Sequence, residues 1–143
     1  MAIQKQEFYE GAALMRLATA AQSIHLEFDH PYYIADNRLV LYIKYTTKAR
    51  TPWGFTFSAA ELAGLLRKAR TTPVVIGLVC GSDGIVALEL RAILALLTTR
   101  KVGFHISCAR DHRKFYCVSG PAGSLASAIA PSEWQNLLSR PIS

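Results

Sequence analysis

The sequence has few cysteines and no apolar run that resembles a membrane span. Its three cysteines form neither an even-numbered set nor a CxxC pair, which argues against a disulfide framework and favours a reducing compartment. The most apolar stretch, residues 74–97, is interrupted by GSDG and also carries Glu89 and Arg91. The first residues, MAIQKQEFYEG, lack the apolar run of a secretory signal. We therefore expect a cytoplasmic protein without a membrane segment.

Acidic residues are scarce. Ten Asp and Glu stand against sixteen Lys and Arg, for a formal net charge of +6, and Glu61 is the one acid between residues 38 and 70. The basic residues of that segment are Arg38, Lys44, Lys48, Arg50, Arg67, Lys68 and Arg70, and a second basic stretch contains Arg100, Lys101, Arg110, Arg113 and Lys114. Such a charge distribution attracts nucleic acid first and acidic proteins second, or serves as a solubilising surface.

The length and composition indicate one compact domain over residues 1–143. A chain of 143 residues corresponds to about one domain and buries roughly two-thirds of its unfolded surface. Just over half of the residues are hydrophobic and less than a fifth are charged, which is typical of a globular protein rather than of a disordered segment.

Local patterns predict an α/β protein with a single mixed β-sheet flanked by helices. Residues 7–22 favour a helix, SIHLEFD alternates as a half-buried strand, and YYI, ADN and RLVLYIKYT form a hairpin. Ser58 and Glu61 form a capping-box signature for the next helix, and VVIGLVC reads as a central buried strand. IVALEL returns from the GSDG turn, VGFHISCA pairs with KFYCVSG, and Ser132 with Gln135 indicates a short last helix.

Two polar residues share one face of the strand RLVLYIKYT. Tyr42 and Lys44 lie two residues apart, after a strand that ends in Phe28-Asp29 and before the basic turn TTKARTP. This layout, over about residues 5–70, resembles the restriction-endonuclease-like superfamily, the PD-(D/E)XK group that includes archaeal Holliday-junction resolvases. Phe28-Asp29 stands for the Pro-Asp pair, and Tyr42-Ile43-Lys44 for the acid-x-lysine element.

The resemblance implies a magnesium-dependent phosphodiesterase site. In that family two carboxylates hold Mg²⁺ and the lysine assists the attacking water. Here Tyr42 stands in place of one acid, and a protonated phenol is a poor magnesium ligand. If the chain cleaves, Asp29 with Glu10 or Glu61 would hold the metal. The degenerate motif favours binding over cleavage.

The functional prediction is therefore a nucleic-acid-associated protein with a nuclease-like fold. Lys44 and five further residues form the expected phosphate-binding face: Lys48, Arg50, Arg67, Lys68 and Arg70. The alternative is a non-catalytic accessory or immunity-type module whose basic face meets an acidic protein. An unpaired edge strand or the aromatic hairpin could also pair two copies into a homodimer.

Other groups of residues have simpler interpretations. His105, Cys108, His112 and Cys117 are zinc-compatible, but their spacing does not match a finger or ribbon. CGSDG lacks a phosphate-loop pattern and is typical of a turn. Trp53, Phe55 and Phe57 alternate as core residues, although one exposed member could stack on a base.

Overall fold

A computed structural model of the chain describes residues 2–139. Its helices are α1 (Lys5–Ala21), α2 (Ala59–Lys68) and α3 (Leu90–Ala95). Its strands are β1 (Leu26–Asp29), β2 (Tyr32–Ala35), β3 (Leu39–Thr46), β4 (Trp53–Phe57), β5 (Val74–Cys80), β6 (Gly84–Glu89), β7 (Phe104–Ala109), β8 (Cys117–Gly120) and β9 (Gly123–Ser124). The predicted α/β class is confirmed. Among the described residues, no helix has the length and apolar character needed to cross a bilayer.

A five-stranded mixed sheet has the strand order β1-β2-β3-β5-β6. The first three strands are antiparallel neighbours, β3 and β5 are parallel, and β6 returns antiparallel to β5. The parallel pair requires a crossover, which contains α2. Every residue of β5 is buried, so the prediction of a central strand covered on both faces is confirmed.

The prediction of one sheet is wrong, because β4 belongs to a second, antiparallel sheet with the order β4-β7-β8-β9. The edge of β3 that does not pair with β2 is occupied by β5, which leaves β4 to pair with β7. Trp53, Phe55 and Phe57 are buried, whereas Gly54 and Thr56 are exposed. One face of this sheet therefore joins the core and the other faces solvent.

Two hydrophobic cores cover the two faces of the five-stranded sheet. On one face, Val40 and Ile76 share a cluster with Leu65 of α2 and Phe57 of β4. On the other, Leu41 and its neighbours pack with α1 and with the segment 131–138. Successive strand residues point to opposite faces, so β3 contributes side chains to both cores.

The predicted last helix is a run of turns over residues 131–138 rather than an α-helix. Trp134 is fully buried there, and its Nε1 donates to the carbonyl of Ala13 at 2.9 Å. Its ring lies over Gly77, where an added Cβ would approach the ring to 2.6 Å. The glycine in β5 thus makes room for the indole that attaches this segment to the sheet.

Candidate nucleic-acid interface

Lys44 is held between β3, β4 and α2. Its Nζ donates to Glu61 Oε2 and to the carbonyl of Thr56, both at 2.7 Å. The same Nζ lies 4.6 Å from the centre of the Phe57 ring, within range of a cation–π contact. The side chain is 20% exposed. Lys44 therefore joins three elements of the fold instead of extending into solvent.

Glu61 lies in the first turn of α2 and accepts hydrogen bonds at both carboxylate oxygens. The predicted capping box is confirmed, since Ser58 N donates to Oε1 at 2.9 Å and Glu61 N donates to Ser58 Oγ at 3.0 Å. Oε2 accepts from Lys44 and from Tyr42 OH. Burial by itself raises the pKa of Glu61, but the hydrogen bonds from Lys44, Tyr42 and Ser58 outweigh it and lower the pKa below its ordinary value.

Tyr42 completes this group, which we call the Lys44–Glu61–Tyr42 cluster. Its hydroxyl donates to Glu61 Oε2 at 2.5 Å. Burial, together with the hydrogen bond to Glu61 and its charge, raises the pKa of Tyr42 well above its ordinary value. The phenol therefore stays protonated and acts as a donor, which is the opposite of what a magnesium ligand requires.

Asp29, at the end of β1, pairs with Lys68 rather than with Lys44. Its carboxylate contacts Lys68 Nζ, which lies 5.3 Å from the centre of the Tyr32 ring. Asp29 is opposite Tyr32 on β2, and β2 lies between β1 and β3. Two strand spacings separate β1 from β3, or roughly 10 Å. The predicted pairing of Asp29 with Lys44 is therefore wrong. Asp29 pairs with Lys68, and Lys44 pairs with Glu61.

The three carboxylates named for a metal do not fit a magnesium site. Lys68 and Glu61 are seven residues apart on α2, or about 10 Å along the helix axis, so Asp29 and Glu61 lie near different turns. Glu10 is buried on α1, near Tyr33, on the other face of the sheet. Within residues 2–139, no three or more His, Cys, Asp or Glu side chains are arranged to hold a metal.

The predicted phosphate-binding residues fall into two groups at opposite ends of β3. Lys48 and Arg50 follow its carboxyl end. Arg67, Lys68 and Arg70 close α2 and precede β5, whose first residue, Val74, is opposite Val40 near the amino end of β3. Six residues of strand separate Val40 from the last residue of β3, or about 20 Å. The single basic face expected from the sequence is therefore divided.

An open cleft of about 410 Å³ lies beyond the carboxyl end of β3. Its walls are residues 49–51 and 110–113, with Trp53 and Asp83 between them. Four basic side chains line this basic cleft: Arg50, Arg110, His112 and Arg113. Two acids, Asp83 and Asp111, also line it. Within residues 2–139, Arg50, His112 and Arg113 form no ion pair.

Arg110 fastens the two walls of the basic cleft together. Its backbone N donates to Thr51 Oγ1 at 3.0 Å, and its Nε donates to the carbonyl of Lys114 at 2.6 Å. Its Nη1 pairs with Asp83 at 2.9 Å, and Asp83 also accepts from Tyr116 OH at 2.5 Å. The hydrogen bond that Arg110 donates to Asp83 raises the pKa of Arg110. The walls are thus positioned before any ligand binds.

Arg113 occupies a backbone conformation that favours glycine. Its φ is +62°, in a turn closed by a hydrogen bond from Lys114 N to the carbonyl of Asp111 at 3.0 Å. A non-glycine residue in this region costs on the order of 1 kcal/mol. Strained residues of this kind cluster at functional sites. The turn thus places Arg113, which has no ion-pair partner among the described residues, beside the cleft at some cost to stability.

Sequence reasoning did not predict the basic cleft as a site. It named Arg50 for nucleic acid, placed Arg110 and Arg113 in a second basic stretch, and interpreted GSDG as a turn. That turn is confirmed, and its Asp83 is also the partner of Arg110. The sequence did contain a signal for this site. The basic sequence RDHRK lies at the tip of a predicted hairpin, and the turn TTKARTP is a second basic loop.

Comparison of the chain with protein-family models, with curated proteins and with solved structures found no match. The kinship to restriction-endonuclease-like proteins therefore stays a prediction from the order of elements and residues in the first half of the chain.

Proposed function

We propose that the chain binds nucleic acid through phosphate contacts in the basic cleft and does not cleave it. The supporting observation is the arrangement of Arg50 and Arg113, two arginines without ion pairs in residues 2–139, on walls fastened together by Arg110. Binding is favoured over cleavage because Lys44, Glu61 and Tyr42 are engaged with one another in the fold.

Arginine is suited to this role. Its planar guanidinium can donate two parallel hydrogen bonds to one phosphate, and it stays charged at any physiological pH. The net charge of +6 adds a long-range attraction that steers a polyanion toward the protein. Contacts of this kind are insensitive to base sequence, so we expect affinity with little sequence preference and a strong dependence on salt.

The test is a salt titration with two matched double variants. Arg50→Ala/Arg113→Ala removes the unpaired cleft arginines, and Arg67→Ala/Arg70→Ala removes the same charge from the end of α2. Binding of labelled oligonucleotides is followed by fluorescence anisotropy between about 50 and about 200 mM salt. We expect the cleft variant to reduce the slope of log K against log salt by about 2, and the helix variant to keep the slope of the unmodified protein.

Equal losses of oligonucleotide affinity in the two double variants would contradict the proposal. They would indicate attraction by the overall positive charge instead of contacts at one site. Absence of binding by the unmodified protein at low salt would also overturn it and favour an acidic protein partner.

A cleavage assay tests the second half of the proposal. With Mg²⁺ or Mn²⁺ present, we expect no cleavage of single-stranded or duplex DNA. Cleavage that disappears in Lys44→Ala would contradict the structural role assigned to Lys44 and restore the nuclease hypothesis. Denaturation of Lys44→Ala in urea provides the control, because the variant must remain folded for its activity to be compared.

A further inference from the structure

Phe115 is an exposed aromatic residue beside the basic cleft. Its side chain is 54% exposed, and its neighbours on both sides contact the cleft framework. Lys114 accepts the hydrogen bond from Arg110 Nε, and Tyr116 donates to Asp83. The Cα of Phe115 is two residues from that of Arg113, and therefore at most about 7 Å away. The backbone of Phe115 is thus fixed relative to the unpaired arginine.

The ring of Phe115 faces solvent. Tyr116 is fully buried and Cys117 is exposed, as expected where successive side chains of an extended segment point to opposite sides. Phe115 shares the outward side with Cys117. Within residues 2–139 its ring makes no aromatic or cation–π contact, whereas Phe28, of similar exposure, packs against His30 and Tyr33. An exposed phenyl ring without ring contacts in the described part of the chain is therefore carried on a segment whose neighbouring residues bond to the cleft framework.

We propose that Phe115 stacks on an unpaired base whose neighbouring phosphates contact the basic cleft, so that the chain prefers single-stranded nucleic acid to duplex. This inference rests on the proposed function and adds the class of nucleic acid. An aromatic ring beside a positive groove is the usual means of holding a single strand, because each unpaired base offers a flat face. In a duplex those faces are covered by the adjacent base pairs.

Binding of an oligothymidylate of about ten nucleotides and of a duplex of equal length tests the inference. Phe115→Ala should weaken single-strand binding about tenfold and leave duplex binding unchanged. Phe28→Ala removes a ring of similar exposure from β1 and should change neither the single-strand affinity nor the duplex affinity. Phe115→Trp should keep single-strand affinity and show quenched tryptophan fluorescence on binding. The unmodified protein, titrated in parallel, gives the contribution of the native tryptophans, of which Trp53 borders the cleft and Trp134 is fully buried.

Two results would overturn the inference while the proposed function stands: equal affinity of the unmodified protein for both probes, or an unchanged single-strand affinity in Phe115→Ala. In either case, Arg50→Ala/Arg113→Ala would still weaken binding to both probes. If the unmodified protein binds neither probe, the proposed function fails and this inference fails with it.

Discussion

Two regions of the molecule combine the same three kinds of side chain, a cation, a tyrosine and a carboxylate. In one, Lys44 and Tyr42 donate to the carboxylate of Glu61; in the other, Arg110 and Tyr116 donate to the carboxylate of Asp83. In both, the tyrosine hydroxyl lies 2.5 Å from the carboxylate. In both, the cation also lies over an aromatic ring, and its side chain is 20% exposed.

The difference lies in what surrounds each group. Lys44 donates a further hydrogen bond to the carbonyl of Thr56, and Glu61 accepts one from Ser58 N, so the first group is complete within the fold. The second group borders an open cleft, where Arg50 and Arg113 form no ion pair within residues 2–139. An ion pair with a tyrosine is therefore no sign of function in this protein. The phosphate contacts that we propose are therefore assigned to Arg50 and Arg113, which form no ion pair in the described part of the chain.

The largest expected effect is the loss of stability in Glu61→Ala. The substitution removes half of the capping box and leaves Lys44 and Tyr42 without their acceptor, so we expect the free energy of unfolding to fall by about 3 kcal/mol. Urea denaturation measures it. Glu61→Gln keeps the capping interaction, so its free energy of unfolding should fall less than that of Glu61→Ala. A Glu61→Ala protein with unchanged stability and weakened oligonucleotide binding would reverse the roles that we assign to the two regions.

Lowering the pH should reduce the free energy of unfolding, because Glu61 becomes protonated. Its pKa is lowered in the folded protein, so its stabilising contribution is fully present above the ordinary value of 4.5 and is lost as the pH falls through the folded pKa. Urea denaturation of the unmodified protein and of Glu61→Gln at neutral pH and down to about pH 3 tests this. We expect the difference in stability between the two to narrow below pH 4.5. A difference in stability between the two proteins that stays constant with pH would show that the charge of Glu61 does not stabilise the fold.

A small effect of opposite sign is expected in the second region. Arg113→Gly relieves the positive φ, and after the entropic cost of glycine the free energy of unfolding should rise by about 0.5 kcal/mol. Arg113→Ala keeps the backbone strain and should show no such gain. Both variants should bind oligonucleotide more weakly, because each lacks the guanidinium. Arg113→Gly with lower stability and full binding would remove the argument that the turn trades stability for function.

Much of the fold could be predicted because its signals are local. Three predicted features depend only on residues that are close in sequence, and all three are confirmed. They are the capping box at Ser58, the hairpin of β2 and β3, and the buried run of β5. The pairing of β4 with β7 could not be predicted, because alternation identifies a strand and its buried face but not its partner. The two strands are separated in sequence by α2, β5, β6 and α3.

The sites were harder to predict for the same reason. The alternation of β3 correctly placed Tyr42 and Lys44 on one face, but their partner is Glu61, which reaches them from α2. Asp29 was predicted to meet Lys44, but the sheet order places β2 between their strands. The basic cleft joins Thr51 to Arg110, from loops that share no sequence pattern. Its charges were visible in the sequence, whereas their proximity was not.

Binding in the basic cleft is tested most directly by an NMR titration of the arginine Nε–H signals with oligothymidylate. We expect the signals of Arg50 and Arg113 to shift or broaden on binding, while those of Arg67 and Arg70, at the other end of β3, stay in place. Shifts of Arg67 and Arg70 with no change at Arg50 and Arg113 would contradict binding in the basic cleft.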